Sequence, residues 1–262
     1  MQRQIKVDGR QVNYQCEGNG PAVVLLHGFG ETSAIWEFQK VLAQHFKLLI
    51  PDLPGSGASE SISDMSIEGL AETISTLLQN EAIEKCTLIG HSMGGYVALA
   101  FAEKYEHKLS GLGLFHSTAF ADTDEKIATR KKGINFIKEH GAATFLKTTL
   151  PNLYSPATKA NHPALIEQQL QGVNDFSNEA LIGYYEAMIK RPDRTDVLRR
   201  VSIPVLFMLG RHDAAVPLQA GFAQCALPQI AYIHVLENSG HMGMVEEPEA
   251  SQILLQQFFS ET

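Results

Sequence analysis

The chain has 262 residues, 44% hydrophobic and 19% charged, enough for one large domain whose core needs no metal or disulfide. Its net charge of −8 argues against a general nucleic-acid binder, which needs a concentrated basic footprint. Cys16, Cys86 and Cys225 form no CxxC pair, so neither a zinc site nor a disulfide framework is indicated.

The first fourteen residues are polar and alternating, with no apolar stretch suited to a secretory signal. Runs 4–7 and 11–16 flank Asp8-Gly9, which predicts a β-hairpin. Short apolar runs follow at 22–26, 48–50, 86–89, 112–115, 205–209 and 232–236. Continuous apolar runs of this length suit strands buried on both faces of a parallel sheet. No run is long enough to cross a bilayer, so no membrane partner is expected and the cytoplasm is the expected location.

Helical patterns fall between the strands. Residues 66–78 carry one apolar face, with Ser66 as N-cap. Residues 93–105, 216–226 and 248–259 read as further helices. The alternation predicts a doubly wound, mostly parallel α/β sheet with the hairpin at one edge. It breaks over 117–201, where periodicity is helical and Gly141, Pro151, Pro156, Pro163 and Gly172 punctuate the chain. That stretch is expected to be a helical cap, with the core at 1–116 and 202–262.

The charge is uneven. Residues 122–200 hold 12 basic and 10 acidic residues, a surplus of +2, whereas the remainder carries −10. Arg130-Lys131-Lys132 and Arg199-Arg200 raise the idea of an anionic substrate or acyl carrier, against the plainer reading of solvated helix faces.

Gly90-His91-Ser92-Met93-Gly94 matches G-x-S-x-G. The pattern is weak alone, but here it follows a strand and opens a helix, as a nucleophile elbow does. A tight turn would hold Ser92 in a strained conformation with its hydroxyl off the sheet. The alternative is a plain helix N-cap.

Five motifs, in order, resemble those of the α/β-hydrolase family across nearly the whole chain. They are His27-Gly28-Phe29-Gly30, the stretch Asp52-Leu53-Pro54-Gly55-Ser56-Gly57-Ala58-Ser59, Gly90 to Gly95, Gly210-Arg211-His212-Asp213, and Ser239-Gly240-His241. The resemblance implies the α/β-hydrolase fold, a Ser92–Asp213–His241 triad, and an oxyanion hole built from the Phe29 and Met93 backbone N–H groups. His91 should point away from Ser92, and His27 should bond to backbone. Asp52 should stabilise a turn, and Glu237 is a weaker rival acid.

The expected activity is hydrolysis of a carboxylic ester with a small or medium acyl group. Hydrolysis of a C–C bond or enol lactone is the alternative within the fold. A slow-turnover receptor is the alternative outside enzymes. No metal or cofactor is expected, the partner is a small acyl substrate, and oligomeric state is not readable. Phe29, Met93, Phe136, Phe145 and Tyr184 are the expected pocket residues, from a cap that also holds Tyr154, Phe176, Tyr185 and Met188. Packing between cap helices is the competing reading for many of these aromatics.

Overall fold

The computed structural model describes residues 1–262. Eight strands form one sheet: β1 (Gln2–Val7), β2 (Arg10–Glu17), β3 (Ala22–Leu26), β4 (Lys47–Pro51), β5 (Cys86–His91), β6 (Leu109–Phe115), β7 (Val205–Gly210) and β8 (Ala231–Leu236). Their spatial order is β1-β2-β4-β3-β5-β6-β7-β8. Both pairings of β2 are antiparallel, and all others are parallel.

The hairpin forms where Asp8-Gly9 predicts it. Both residues have positive φ, 50° and 77°, the hand that matches the twist of paired strands. The central strands β5 and β7 are buried at every position, which explains their unbroken apolar sequence. β6 begins at Leu109, three residues before its apolar run, because Leu109 pairs with Cys86 across a local irregularity.

Helix α1 (Ile67–Asn80) is capped by the Ser66 side chain, which accepts from the Gly69 N–H at 3.0 Å. α2 (Met93–Tyr105) leaves β5 through a single residue. Between β6 and β7 the chain forms no strand, only helices. These are α3 (Asp124–His140), α4 (Ala142–Thr149), α5 (Pro156–Asn161), α6 (Pro163–Gln171), α7 (Asn178–Lys190) and α8 (Thr195–Arg200), with two short 3₁₀ turns. α9 (Leu218–Cys225), the short α10 (Gly243–Glu246) and α11 (Pro248–Ser260) complete the chain.

Trp36, in a 3₁₀ segment at Ser33–Gln44, is fully buried and meets Phe115 edge-on at 5.5 Å between ring centres. It belongs to the core. Cys16, Cys86 and Cys225 are buried and free. The loops after β3, β5, β6, β7 and β8 all leave the carboxyl ends of parallel neighbours. In open α/β sheets that edge is where ligands bind.

Candidate active site

Ser92 sits between β5 and α2 at φ 50°, ψ −117°. A non-glycine residue there is strained and persists only where its surroundings hold it. Here its N–H donates to the Phe115 carbonyl at 3.0 Å, and its own carbonyl accepts from the Ser117 hydroxyl at 2.7 Å. The glycines around it answer to space. A Cβ at Gly94 would lie 2.6 Å from the His27 carbonyl oxygen, and one at Gly90 would strike the Gly94 carbonyl. The Ser92 side chain makes no capping bond to α2. Its hydroxyl instead borders a cavity of about 450 Å³.

His241 borders the same cavity. Its Nδ1 donates to Asp213 Oδ2 at 2.7 Å, which leaves Nε2 as the nitrogen able to accept a proton. No hydrogen bond yet spans Nε2 and the Ser92 hydroxyl; such contacts often tighten only when substrate arrives. Asp213 is held from both sides. Its Oδ1 accepts the Ala215 and Val216 N–H groups, each at 2.8 Å. Its Oδ2 also accepts from His116 Nδ1 at 3.2 Å.

Burial pushes the Asp213 carboxyl up, but His241 and His116 outweigh it and hold it well below the usual carboxylate range. Burial likewise disfavours the charged His241 ring, yet Asp213 overcomes this and raises it. His116 goes the other way: burial dominates and lowers it. His116 Nε2 is buried without a partner, as a neutral ring permits.

His116, Asp213 and His241 bring metal-ligand atom types within 4.8 Å of one another. Both Nδ1 atoms, however, serve as donors to the same carboxylate oxygen. The trio reads as a hydrogen-bonded group in which one carboxylate oxygen orients two imidazole rings.

The loop after β3 faces Ser92. His27 Nε2 accepts the Leu53 N–H at 2.9 Å, while Nδ1 lies 2.8 Å from the Gly28 carbonyl. Asp52 accepts from the Ser33 and Ala58 N–H groups, a turn-stabilising part. No turn, loop or cap hydrogen bond engages the N–H of Phe29 or Met93. Glu237 pairs with Arg211 on the surface, away from His241.

Nothing in the sequence singles out Glu31. Its Oε2 accepts from the Gly28 N–H at 2.6 Å and meets His91 Nδ1 at 2.9 Å. His91 Nε2 then donates to the His241 carbonyl at 2.9 Å. The elbow histidine thus points away from Ser92 and ties three loops of the site together. Glu31 also borders a second cavity of about 400 Å³, beneath α6.

The expected pocket residues divide. Phe29 borders the Ser92 cavity. Met93 is fully buried, and neither it nor Phe136, Phe145 or Tyr184 is part of the lining. Phe145 packs edge-on against Phe29 at 6.3 Å, and Phe136 packs behind it at 5.9 Å. The buried Tyr184 hydroxyl lies 2.8 Å from Ser56 Oγ and donates to the Pro54 carbonyl at 2.5 Å, joining α7 to the loop after β4. Its neighbour Tyr185 stacks on Phe29 at 4.2 Å and borders the cavity with Met188. Successive helix residues face about 100° apart, so an offset of one residue decides between core and cavity.

A family model described as the alpha/beta hydrolase family matches residues 23–251. The chain belongs to the alpha/beta hydrolase family. A pimeloyl-[acyl-carrier protein] methyl ester esterase of Aeromonas salmonicida is 30% identical, with 88% of this chain and 92% of that one aligned. A malate-bound thermophilic esterase from Thermogutta terrifontis superposes with a TM-score of 0.93 at 29% identity, covering 99% of this chain and 98% of that one. The enol-lactonase from Burkholderia xenovorans LB400 reaches a TM-score of 0.91 at 22% identity, covering 99% and 100%, and shares the fold. An uncharacterised protein of Mycobacterium tuberculosis is 27% identical over 98% of this chain and 80% of its own length.

Proposed function

We propose that this alpha/beta hydrolase cleaves carboxylic esters by a Ser92–His241–Asp213 mechanism. The observation that carries the reading is the 2.7 Å His241–Asp213 contact beside a strained Ser92 that opens into the same cavity. Esterase relatives at 30% and 29% identity support an ester as the bond attacked.

Ser92 Oγ attacks the ester carbonyl carbon while its proton passes to His241 Nε2. Asp213 holds the ring in the tautomer that allows this and stabilises the imidazolium. The carbonyl oxygen becomes an oxyanion, received by the Phe29 and Met93 N–H groups. Each such donor is worth roughly 3 kcal/mol of barrier. The C–O bond to the alcohol breaks, and the leaving oxygen takes the proton from His241. Water then gives a proton to His241 and attacks the acyl group. The acid departs and Ser92 is regenerated. A lactone follows the same steps with its alcohol still tethered.

The helices between β6 and β7 act, in this reading, as a cap over the Ser92 cavity. No helix is long and apolar enough to cross a membrane, and we place the enzyme in the cytoplasm.

A panel of p-nitrophenyl esters of increasing acyl length tests the activity. The wild type should turn over short and medium esters, and Ser92→Ala should lose at least about 10⁴-fold in kcat. Undiminished turnover in Ser92→Ala would exclude this mechanism. An intact protein inert to the whole panel would favour a receptor.

A further inference from the structure

Two basic residues of α3, Lys126 and Arg130, border the cavity that holds Ser92 and His241. Four residues apart on a helix, they lie on one face about 6 Å apart along the axis.

Their charges are compensated differently. Arg130 Nε and Nη2 both donate to Asp122, whose side chain is fully buried. The same carboxylate is shared with Arg191 Nη2 at 2.9 Å. One carboxylate between two guanidinium groups leaves one positive charge over. Lys126 has no carboxylate partner; its ammonium donates only to the Ala215 carbonyl, at 3.1 Å.

The two carboxylates of the cavity do not cancel this surplus. Glu31 is committed to the Gly28 N–H and to His91. Glu125 is exposed at the rim, where solvent screens it. A half-enclosed wall with surplus positive charge is built to receive an anion.

We infer that Lys126, backed by Arg130, binds a carboxylate of the substrate. The preferred substrates are therefore esters that also carry a carboxylate: hemiesters of dicarboxylic acids, or hydroxy acids acylated on the hydroxyl. This inference rests on the ester-hydrolase reading of the Ser92 site.

The basic patch read in the sequence contributes one residue, Arg130. Lys131, Lys132, Arg199 and Arg200 are exposed and stand outside the lining.

Matched substrate pairs test the idea. In each pair a carboxylate is replaced by the isosteric, neutral carboxamide. One pair carries the group on the acyl side and the other on the alcohol side, so the pairs tell the two substrate classes apart. The ratio of kcat/KM within a pair is the readout. In low salt the wild type should favour the carboxylate at least about ten-fold for one pair, equivalent to roughly 1.4 kcal/mol. Raising salt to about 0.5 M should cut that preference several-fold. Lys126→Met should bring the ratio close to one, and Lys126→Arg should keep most of it.

A wild-type ratio near one for both pairs, or an unchanged ratio in Lys126→Met, overturns the inference. A calorimetric arm works without turnover. Ser92→Ala protein should bind the carboxylate ester at least about ten-fold more tightly than the carboxamide, and adding Lys126→Met should abolish the difference. If no ester is cleaved yet this preference appears, the hydrolase reading has failed and the carboxylate site stands. If esters are cleaved with no preference, the reverse holds.

Discussion

Glu31 Oε2 lies 2.9 Å from His91 Nδ1, with both side chains shut away from solvent. The other ring nitrogen of His91 faces the His241 carbonyl. Each ring nitrogen therefore faces an oxygen acceptor, one a carboxylate and one a carbonyl. Burial pushes the Glu31 carboxyl up, but His91 and the Gly28 N–H outweigh it and leave it below its usual range. The pair therefore anchors the loop after β3 to the turn after β5 and to the loop that carries His241.

Removing one partner of such a pair strands the other. Glu31→Ala should cost roughly 3–5 kcal/mol in chemical denaturation, and Glu31→Gln less, because an amide oxygen still accepts the Gly28 N–H. A loss below about 1 kcal/mol in Glu31→Ala would show that the pair does not anchor these loops.

In the proposed mechanism His241 is the base, and the acid side of the pH profile should report it. That base works only when neutral, and Asp213 raises its proton affinity above the ordinary value of 6.5. Activity should therefore fall as pH drops through a midpoint above 6.5. Asp213→Asn should lower kcat by about 10⁴-fold. A wild-type midpoint well below 6.5 would contradict the geometry.

The same shifts act on stability with opposite signs. His241 is raised by folding, so its contribution is fully present below pH 6.5 and is lost as pH rises through the folded value. Asp213 is lowered by folding, so its contribution is present above about pH 3.9 and is lost as pH falls toward its depressed value. Urea titrations at several pH values should show the Asp213 contribution vanish in Asp213→Asn.

The two tyrosines of α7 should separate cleanly. Tyr184→Phe removes buried hydrogen bonds to Ser56 and Pro54 and should cost about 1–2 kcal/mol of stability. Tyr185→Ala opens the wall beside Phe29 and should move KM for bulky acyl esters. Equal effects of both variants on KM would erase the distinction.

Gly94 can be tested by the smallest addition. An Ala Cβ there would crowd the His27 and Leu26 carbonyl oxygens at 2.6 and 2.8 Å. Gly94→Ala should lose about 1–3 kcal/mol of stability and most activity by displacing the elbow. Wild-type kinetics in that variant would mean the elbow is not tightly packed.

The sequence revealed most where a local rule was strict. Buried parallel strands wrote themselves as apolar runs, Asp8-Gly9 marked the hairpin, and Ser66 marked the start of α1. The Ser92 turn was legible because only glycine fits at 90 and 94. Side-chain direction on the helices was less legible. Tyr184 and Tyr185 differ by one position, and nothing in their spacing says which faces the cavity. Glu31 and His116 were silent for another reason. Each acts through partners distant in sequence, Glu31 through His91 sixty residues on and His116 through Asp213. Charge counting found a basic surplus over 122–200 and raised an anionic substrate, but it did not single out Lys126, which stands out only once Arg130 is seen to be paired with Asp122.

The most direct test is site-resolved mass spectrometry after labelling with a fluorophosphonate. Attack by Ser92 Oγ on phosphorus expels fluoride and leaves a stable adduct. The predicted result is one adduct, on the peptide carrying Ser92, formed far more slowly in His241→Ala. A label on another serine, or undiminished labelling in His241→Ala, would contradict the account.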